Sequence, residues 1–198
     1  MKDRLSSNSL KQILGGRSIY LIGMMGSGKS VTAPILAKEL DYVFVDSDVL
    51  IEKSAKKSIH EIFQDDGENQ FRDIETQVLK EIAKHYSLVV STGGGVVTRS
   101  ENWGVLHQGI IIWIDPGRDR LLERLKADFS KRPLLDQMDP IARFDSLYEE
   151  RLIFYKEADL QISVEHESPE EVVSKIIKTL PSILINSGDQ GEQQTIGS

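Results

Sequence analysis

One loop constrains this chain more than anything else in it. Gly23-Met24-Met25-Gly26-Ser27-Gly28-Lys29-Ser30 has the form G-x-x-x-x-G-K-[ST]. The apolar residues 18–22 before it read as a buried strand, and residues 31–40 after it read as a helix. Strand, glycine loop and helix together are the context in which this pattern binds phosphate. Its three glycines permit a tight turn that points several N–H groups inward, and the positive end of the following helix favours an anion. Met25, Gly26, Ser27 and Gly28 supply the main-chain cradle of such a loop. Lys29 reaches the β- and γ-phosphates of a nucleotide, and the Ser30 hydroxyl ligates Mg²⁺. The plainer alternative is a glycine-rich turn with nothing bound; the full spacing and both flanks speak against it.

The 198 residues suffice for one domain with a good-sized core. A formal charge of −7 argues against nucleic acid or an anionic membrane surface as the main partner. A negative protein that binds anions must gather its cations locally, so placed arginines and lysines carry the information. There is no cysteine, which removes disulfides, thiolate metal sites and thiol nucleophiles. No apolar run approaches the roughly 18–20 residues of a membrane span.

Along the chain, residues 1–16 read as a short N-terminal extension ending at the breaker Gly15-Gly16. The helix after the glycine loop contains Pro34 too far in for a first-turn proline, so it loses one backbone bond. The second apolar run, residues 42–45, ends at Asp46-Ser47-Asp48. Carboxylates at a strand's C-terminal end lie on the rim where open α/β sheets bind ligands. Asp46 there can hold Mg²⁺ through water, and Asp48 can face a second substrate. The plainer alternative makes both the N-cap and first turn of a helix over residues 49–54.

Ser58 and Glu61 form a capping-box pair for a short helix, and His60 reads as a surface residue. Residues 69–84 have helical spacing, with Arg72 and Glu75 three apart; the base-rate expectation for such a pair is a solvated surface ion pair. The third strand, residues 88–92, runs into Gly93-Gly94-Gly95, a costly run unless something approaches the main chain closely. A ligand against the peptide N–H groups is one such reason. The fourth strand, residues 110–114, is apolar throughout, as in a parallel sheet. Helices follow over residues 118–129, where Arg124 is a surface residue by default, and over 140–158, which carries Arg143 and Arg151. Between them Arg132 stands beside Pro133 in a basic loop suited to close over phosphates. Residues 160–164 alternate as an edge strand, Ser168-Pro169 opens a last helix, and the polar tail lacks apolar content.

Taken together these pieces resemble the shikimate kinase family, small P-loop kinases of the nucleoside-monophosphate kinase structural group. The resemblance rests on the glycine loop, Asp46-x-Asp48 with Ile51-Glu52, Ile59-His60-Glu61-Ile62-Phe63, Phe71-Arg72-x-x-Glu75, Ser91-Thr92-Gly93-Gly94-Gly95, Arg132-Pro133-Leu134-Leu135 and the Arg151 helix. It spans residues 17–180. It implies an α/β fold of three layers, the P-loop NTPase fold, with a five-stranded parallel sheet of order 2-3-1-4-5 flanked by helices. The domain is expected over residues 17–182, with a lid at about 128–138 and a disordered tail over 183–198.

The family transfers the γ-phosphoryl of ATP to the 3-hydroxyl of shikimate, with Mg²⁺. By resemblance Arg72 and Arg151 clamp the shikimate carboxylate, Glu75 holds Arg72, and Asp48 takes the ring hydroxyls and acts as base. Gly94, between Gly93 and Gly95, makes a main-chain contact to substrate. Arg132 neutralises the transferring phosphoryl, and Arg124 lies along the adenine. Lys29, Asp48 and Arg132 are then the catalytic set, Ser30 and Asp46 the metal set, and a cytoplasmic or plastid monomer is expected. Pro34-Ile35 and Lys57 depart from the family pattern, at positions without a chemical role. Rival readings are a related kinase such as gluconate kinase and a catalytically silent binding module on the same fold.

Overall fold

The computed structural model describes residues 7–126 and 139–186. In chain order the elements are α1 (Ser7–Leu14), β1 (Ile19–Ile22), α2 (Lys29–Leu40), β2 (Val43–Asp46), α3 (Ser47–Ala55), α4 (Ile59–Asp65), α5 (Gly67–Ile82), β3 (Leu88–Ser91), a 3₁₀ turn (Val96–Thr98), α6 (Ser100–Leu106), β4 (Ile110–Asp115), α7 (Arg118–Lys126), α8 (Pro140–Tyr155), β5 (Leu160–Ser163) and α9 (Pro169–Asn186). All four strand pairings are parallel, and the sheet order is β2-β3-β1-β4-β5. This is the expected order. Alternate strand residues point to opposite faces. Ile19 and Leu21 of β1 enter a core with α1, α2 and α9, whereas Tyr20 and Ile22 enter one with α5, α6, α7 and α8. Helices therefore cover both faces, which explains why β1, β3 and β4 are buried at almost every position.

Two expectations are corrected. Helix α1 does not stand apart as an extension: Leu10 and Leu14 are buried, and α1 packs on α2 and α9. Helix α9 continues past residue 182, with Leu184 buried against the same core. Strand β2 lies at a sheet edge, with Val43 62% exposed. Residues 1–6, the lid at 128–138 with Arg132, and residues 187–198 of the tail lie outside the described residues. Pro34 is accommodated on the exposed face of α2.

Candidate active site

The glycine loop turns at the C-terminal end of β1. Gly23 has φ +140°, and a Cβ there would meet the Ile114 carbonyl oxygen at 2.6 Å, so only glycine lets the chain leave the strand here. Gly28 caps α2 in the left-handed region and provides no side-chain acceptor, which leaves the first-turn N–H groups of α2 to a ligand. The Lys29 ammonium is buried and donates to the carbonyls of Gly23 (2.8 Å) and Met24 (2.9 Å) and to Ser27 Oγ (3.2 Å). The loop thus concentrates one cation on its own backbone. Arg124 reaches back from α7 to the carbonyls of Gly26 (3.1 Å) and Ser27 (3.4 Å), which ties α7 to the loop.

Oxygen donors gather at the foot of α2. Ser30 Oγ lies 3.2 Å from Ser91 Oγ at the end of β3, and Ser91 is in register with Asp46. Asp46 also does what the plainer reading required: its Oδ1 accepts from the N–H groups of Asp48 (3.0 Å) and Val49 and caps α3. Among the described residues no three or more His, Cys, Asp or Glu side chains cluster as a metal cage. Two hydroxyls and one carboxylate nevertheless suit Mg²⁺, which takes few protein ligands and keeps water and phosphate oxygens.

Beside this rim lies a cavity of about 310 Å³ lined by residues of α3, α4, α5, the glycine run and α8, with Met25 of the loop in its wall. Arg72 is buried, not solvated as base rates suggest. It donates to Glu75 Oε2 (2.7 Å) and Glu68 Oε1 (3.1 Å), and lies 5.0 Å from the Phe71 ring centre. Phe71 in turn meets Phe63 at 4.6 Å. Burial pushes the Glu75 carboxyl above its ordinary value, and Arg72 and Arg151 pull it back. Arg151 is 1% exposed, and its Nε and Nη1 have no hydrogen-bond partner among the described residues. A buried guanidinium with unused donors is expensive unless an anion joins it.

The glycine run fits between these groups. A Cβ on Gly95 would lie 2.2–2.4 Å from the Arg72 guanidinium, and one on Gly93 would lie 2.7 Å from Glu75 Oε1 and 3.0 Å from Asp48 Oδ1. A Cβ on Gly94 would meet Met25 N at 3.2 Å, the Gly23 oxygen at 3.3 Å and Arg151 Nη1 at 3.6 Å. The close approach inferred from three glycines is therefore first an approach of the protein's own charged side chains. It also places the phosphate loop and the buried arginine within 4 Å of one Cβ position on Gly94.

Lys29, Asp48, Arg72, Glu75, Gly93, Gly94, Gly95 and Arg151 are thus brought together around one rim, with Ser30 and Asp46 at the foot of α2 and the start of α3. The sequence reading missed several contributors. Ser47 accepts from the Gly93 N–H (3.1 Å), Ser91 meets Ser30, and the Tyr155 hydroxyl donates to the Gly94 carbonyl (2.6 Å). Glu52 and His60 line the cavity, though His60 is exposed as expected. The i, i+4 spacing of Arg151 and Tyr155 was the one signal available for the tyrosine.

A parallel 2-3-1-4-5 sheet with this loop at the end of its central strand defines a P-loop kinase. A gluconokinase from Sinorhizobium meliloti, 16% identical with a TM-score of 0.55, shares that fold. The profile of the family described as "Shikimate kinase" matches residues 25–181. A shikimate kinase of Prochlorococcus marinus is 60% identical over 93% of this chain and 97% of its own length. The solved shikimate kinase of Acinetobacter baumannii in complex with shikimate is 33% identical, with a TM-score of 0.82, over 87% of this chain and 97% of that one. The shikimate kinase of Aquifex aeolicus is 37% identical with a TM-score of 0.74, over 83% and 96%. The chain belongs to the shikimate kinase family.

Proposed function

We propose that the rim and the cavity together transfer the γ-phosphoryl of ATP to the 3-hydroxyl of shikimate, giving ADP and shikimate 3-phosphate. The observation that carries this reading is the position of Gly94, where a Cβ would lie within 4 Å of both the phosphate loop and Arg151. Main-chain N–H groups of residues 25–30 cradle the phosphates, and Lys29 exchanges its carbonyl partners for phosphate oxygens. Arg124 lies along the base. Ser30 and Asp46, with Ser91, would hold Mg²⁺, which when bound neutralises charge on the β- and γ-phosphates.

In the cavity the planar forks of Arg72 and Arg151 take the substrate carboxylate, which gives Arg151's unused donors an acceptor. Glu75 fixes Arg72, and Phe63 and Phe71 support the ring. Asp48, in the first turn of α3, accepts from the ring hydroxyls and takes the proton as the 3-oxygen attacks phosphorus. The new P–O bond forms as the bond to the β-bridging oxygen breaks. Such a transfer needs positioning and charge more than covalent help. Arg132 completes the charge balance in this reading, and lies outside the described residues. A monomeric cytoplasmic enzyme is part of the same proposal. Among the described residues no helix is long and apolar enough to cross a membrane.

The test is ADP release with ATP and Mg²⁺ against shikimate, gluconate and nucleoside monophosphates, with Lys29→Met as control. Release confined to shikimate and lost in the control supports the reading. Equal release with gluconate, or ATP binding with no shikimate-dependent release, overturns it.

A further inference from the structure

The three peptides of the glycine run are each held from a different direction. Ser47 Oγ accepts the Gly93 N–H, and the Val96 N–H (3.2 Å) donates to the Gly93 carbonyl. The Gly94 carbonyl accepts from Tyr155 Oη at 2.6 Å. The N–H groups of Gly94 and Gly95 donate to no group among the described residues, although the segment is largely buried. A glycine peptide has little rotational preference of its own, so the direction of its N–H is set by whatever holds its carbonyl. The Gly94 carbonyl and the Gly95 N–H belong to the same peptide unit. Fixing the one aims the other.

The Tyr155 hydroxyl makes this contact from beside the Arg151 guanidinium, which interacts with it directly. Its side chain is buried, and its ring stacks on Trp113 with centroids 5.8 Å apart. Burial raises its pKa well beyond the ordinary tyrosine range, so the hydroxyl remains a donor across all working pH. It lies one helical turn after Arg151 on α8, on the same face. A substrate held by Arg151 and a peptide held by Tyr155 are then registered to each other through one turn of one helix. The Cβ position of Gly94 that borders Arg151 also borders Met25 and Gly23 of the phosphate loop.

We infer that Tyr155 is a positioning residue for the phosphoryl acceptor. By gripping the Gly94 carbonyl it aims the Gly94–Gly95 peptide at the cavity and locks that peptide to the turn carrying Arg151. It acts through Gly94 and Arg151, not on the reacting atoms. The inference rests on the reading of Arg151 as a carboxylate clamp.

Steady-state kinetics of the full chain separate the possibilities. Tyr155→Phe keeps the ring and its stack and removes one oxygen. It is expected to raise KM for shikimate about 5- to 10-fold, the scale of one hydrogen bond to a held group, and to leave KM for ATP within about twofold. The double variant with Arg151→Lys should show less than the product of the two single effects, because both act on one registered unit. Trp113→Phe, which loosens the stack and spares the hydroxyl, should lower thermal stability and leave KM for shikimate unchanged. An unchanged KM for shikimate in Tyr155→Phe, or effects that multiply independently, would overturn the inference. So would a Tyr155→Phe protein that does not fold, since that assigns the hydroxyl to the core instead. If Arg151→Lys itself leaves KM for shikimate unaltered, the clamp reading fails first. If Arg151→Lys raises it and Tyr155→Phe does not, only the role of Tyr155 falls.

Discussion

The phosphate loop and the cavity beside it are built in opposite ways. The loop is main chain, turned by glycines, with one buried cation resting on its own carbonyls. The cavity is side chain, with two buried guanidinium groups, a buried carboxylate and Asp48, drawn from α3, α5 and α8. A site made of backbone tolerates few changes but needs few named residues. A site made of buried charges ties function to stability, because each group was desolvated to be there. Damage to the loop should therefore appear in turnover, and damage to the cavity should appear in one substrate's KM and in the fold.

The largest effect tests the loop side. Lys29→Met removes the loop's own preorganised charge, and turnover should drop on the order of 10²-fold or more. Thermal stability should fall less than on breaking a buried ion pair, since the ammonium's acceptors are neutral carbonyls and a hydroxyl, not a buried countercharge. A turnover assay beside a melting curve checks both. A large loss of stability with intact turnover would erase the contrast.

Arg72→Ala should do the reverse. Removing one partner of a buried pair strands Glu75, and such breaks cost about 3–5 kcal/mol. KM for shikimate should rise about tenfold or more while KM for ATP holds. Calorimetry and initial rates with each substrate varied would show it. Stability loss without any change in KM would leave Arg72 a structural residue only.

Gly95→Ala sharpens the same point by steric means. Gly95 has φ −98°, so alanine is not strained in the backbone. The added methyl instead meets the Arg72 guanidinium at 2.2–2.4 Å. KM for shikimate should rise several-fold by displacement of that side chain, with a smaller loss of stability than in Arg72→Ala. An alanine variant with normal KM would mean Arg72 moves freely and is not the fixed half of a clamp.

The two sites also differ in how far the sequence discloses them. A backbone site is written locally, so residues 23–30 with their flanking strand and helix announce the loop. The cavity joins residues of four helices spread along the chain, and no local pattern states that Arg72 and Arg151 meet. Local statistics even point the other way, toward a surface pair for Arg72 and Glu75, because i, i+3 spacing says nothing about which face a helix buries. Only the resemblance to a family supplies that. Ser91 and Tyr155 go unseen for the same reason: their value depends on register between β2 and β3, and on the partner of one carbonyl. Helix α1 misleads because only Leu10, Ile13 and Leu14 hint at its packing.

The smallest effect concerns proton uptake at Glu75. Its folded carboxyl titrates above its ordinary value of 4.5, mainly through burial. A raised folded pKa means that the native state binds a proton more tightly than the unfolded chain. The stability this contributes is fully present below pH 4.5 and is lost as pH rises through the higher folded value. Glu75→Gln has no such titration. The melting temperature of Glu75→Gln minus that of the wild type should therefore increase from about pH 4.5 upward and then level off, whatever its sign at the start. A difference that stays flat across that window would show that Arg72 and Arg151 neutralise the carboxylate fully. The cavity would then carry no cost of buried charge beyond the arginines, and the contrast with the loop would narrow to Arg151 alone.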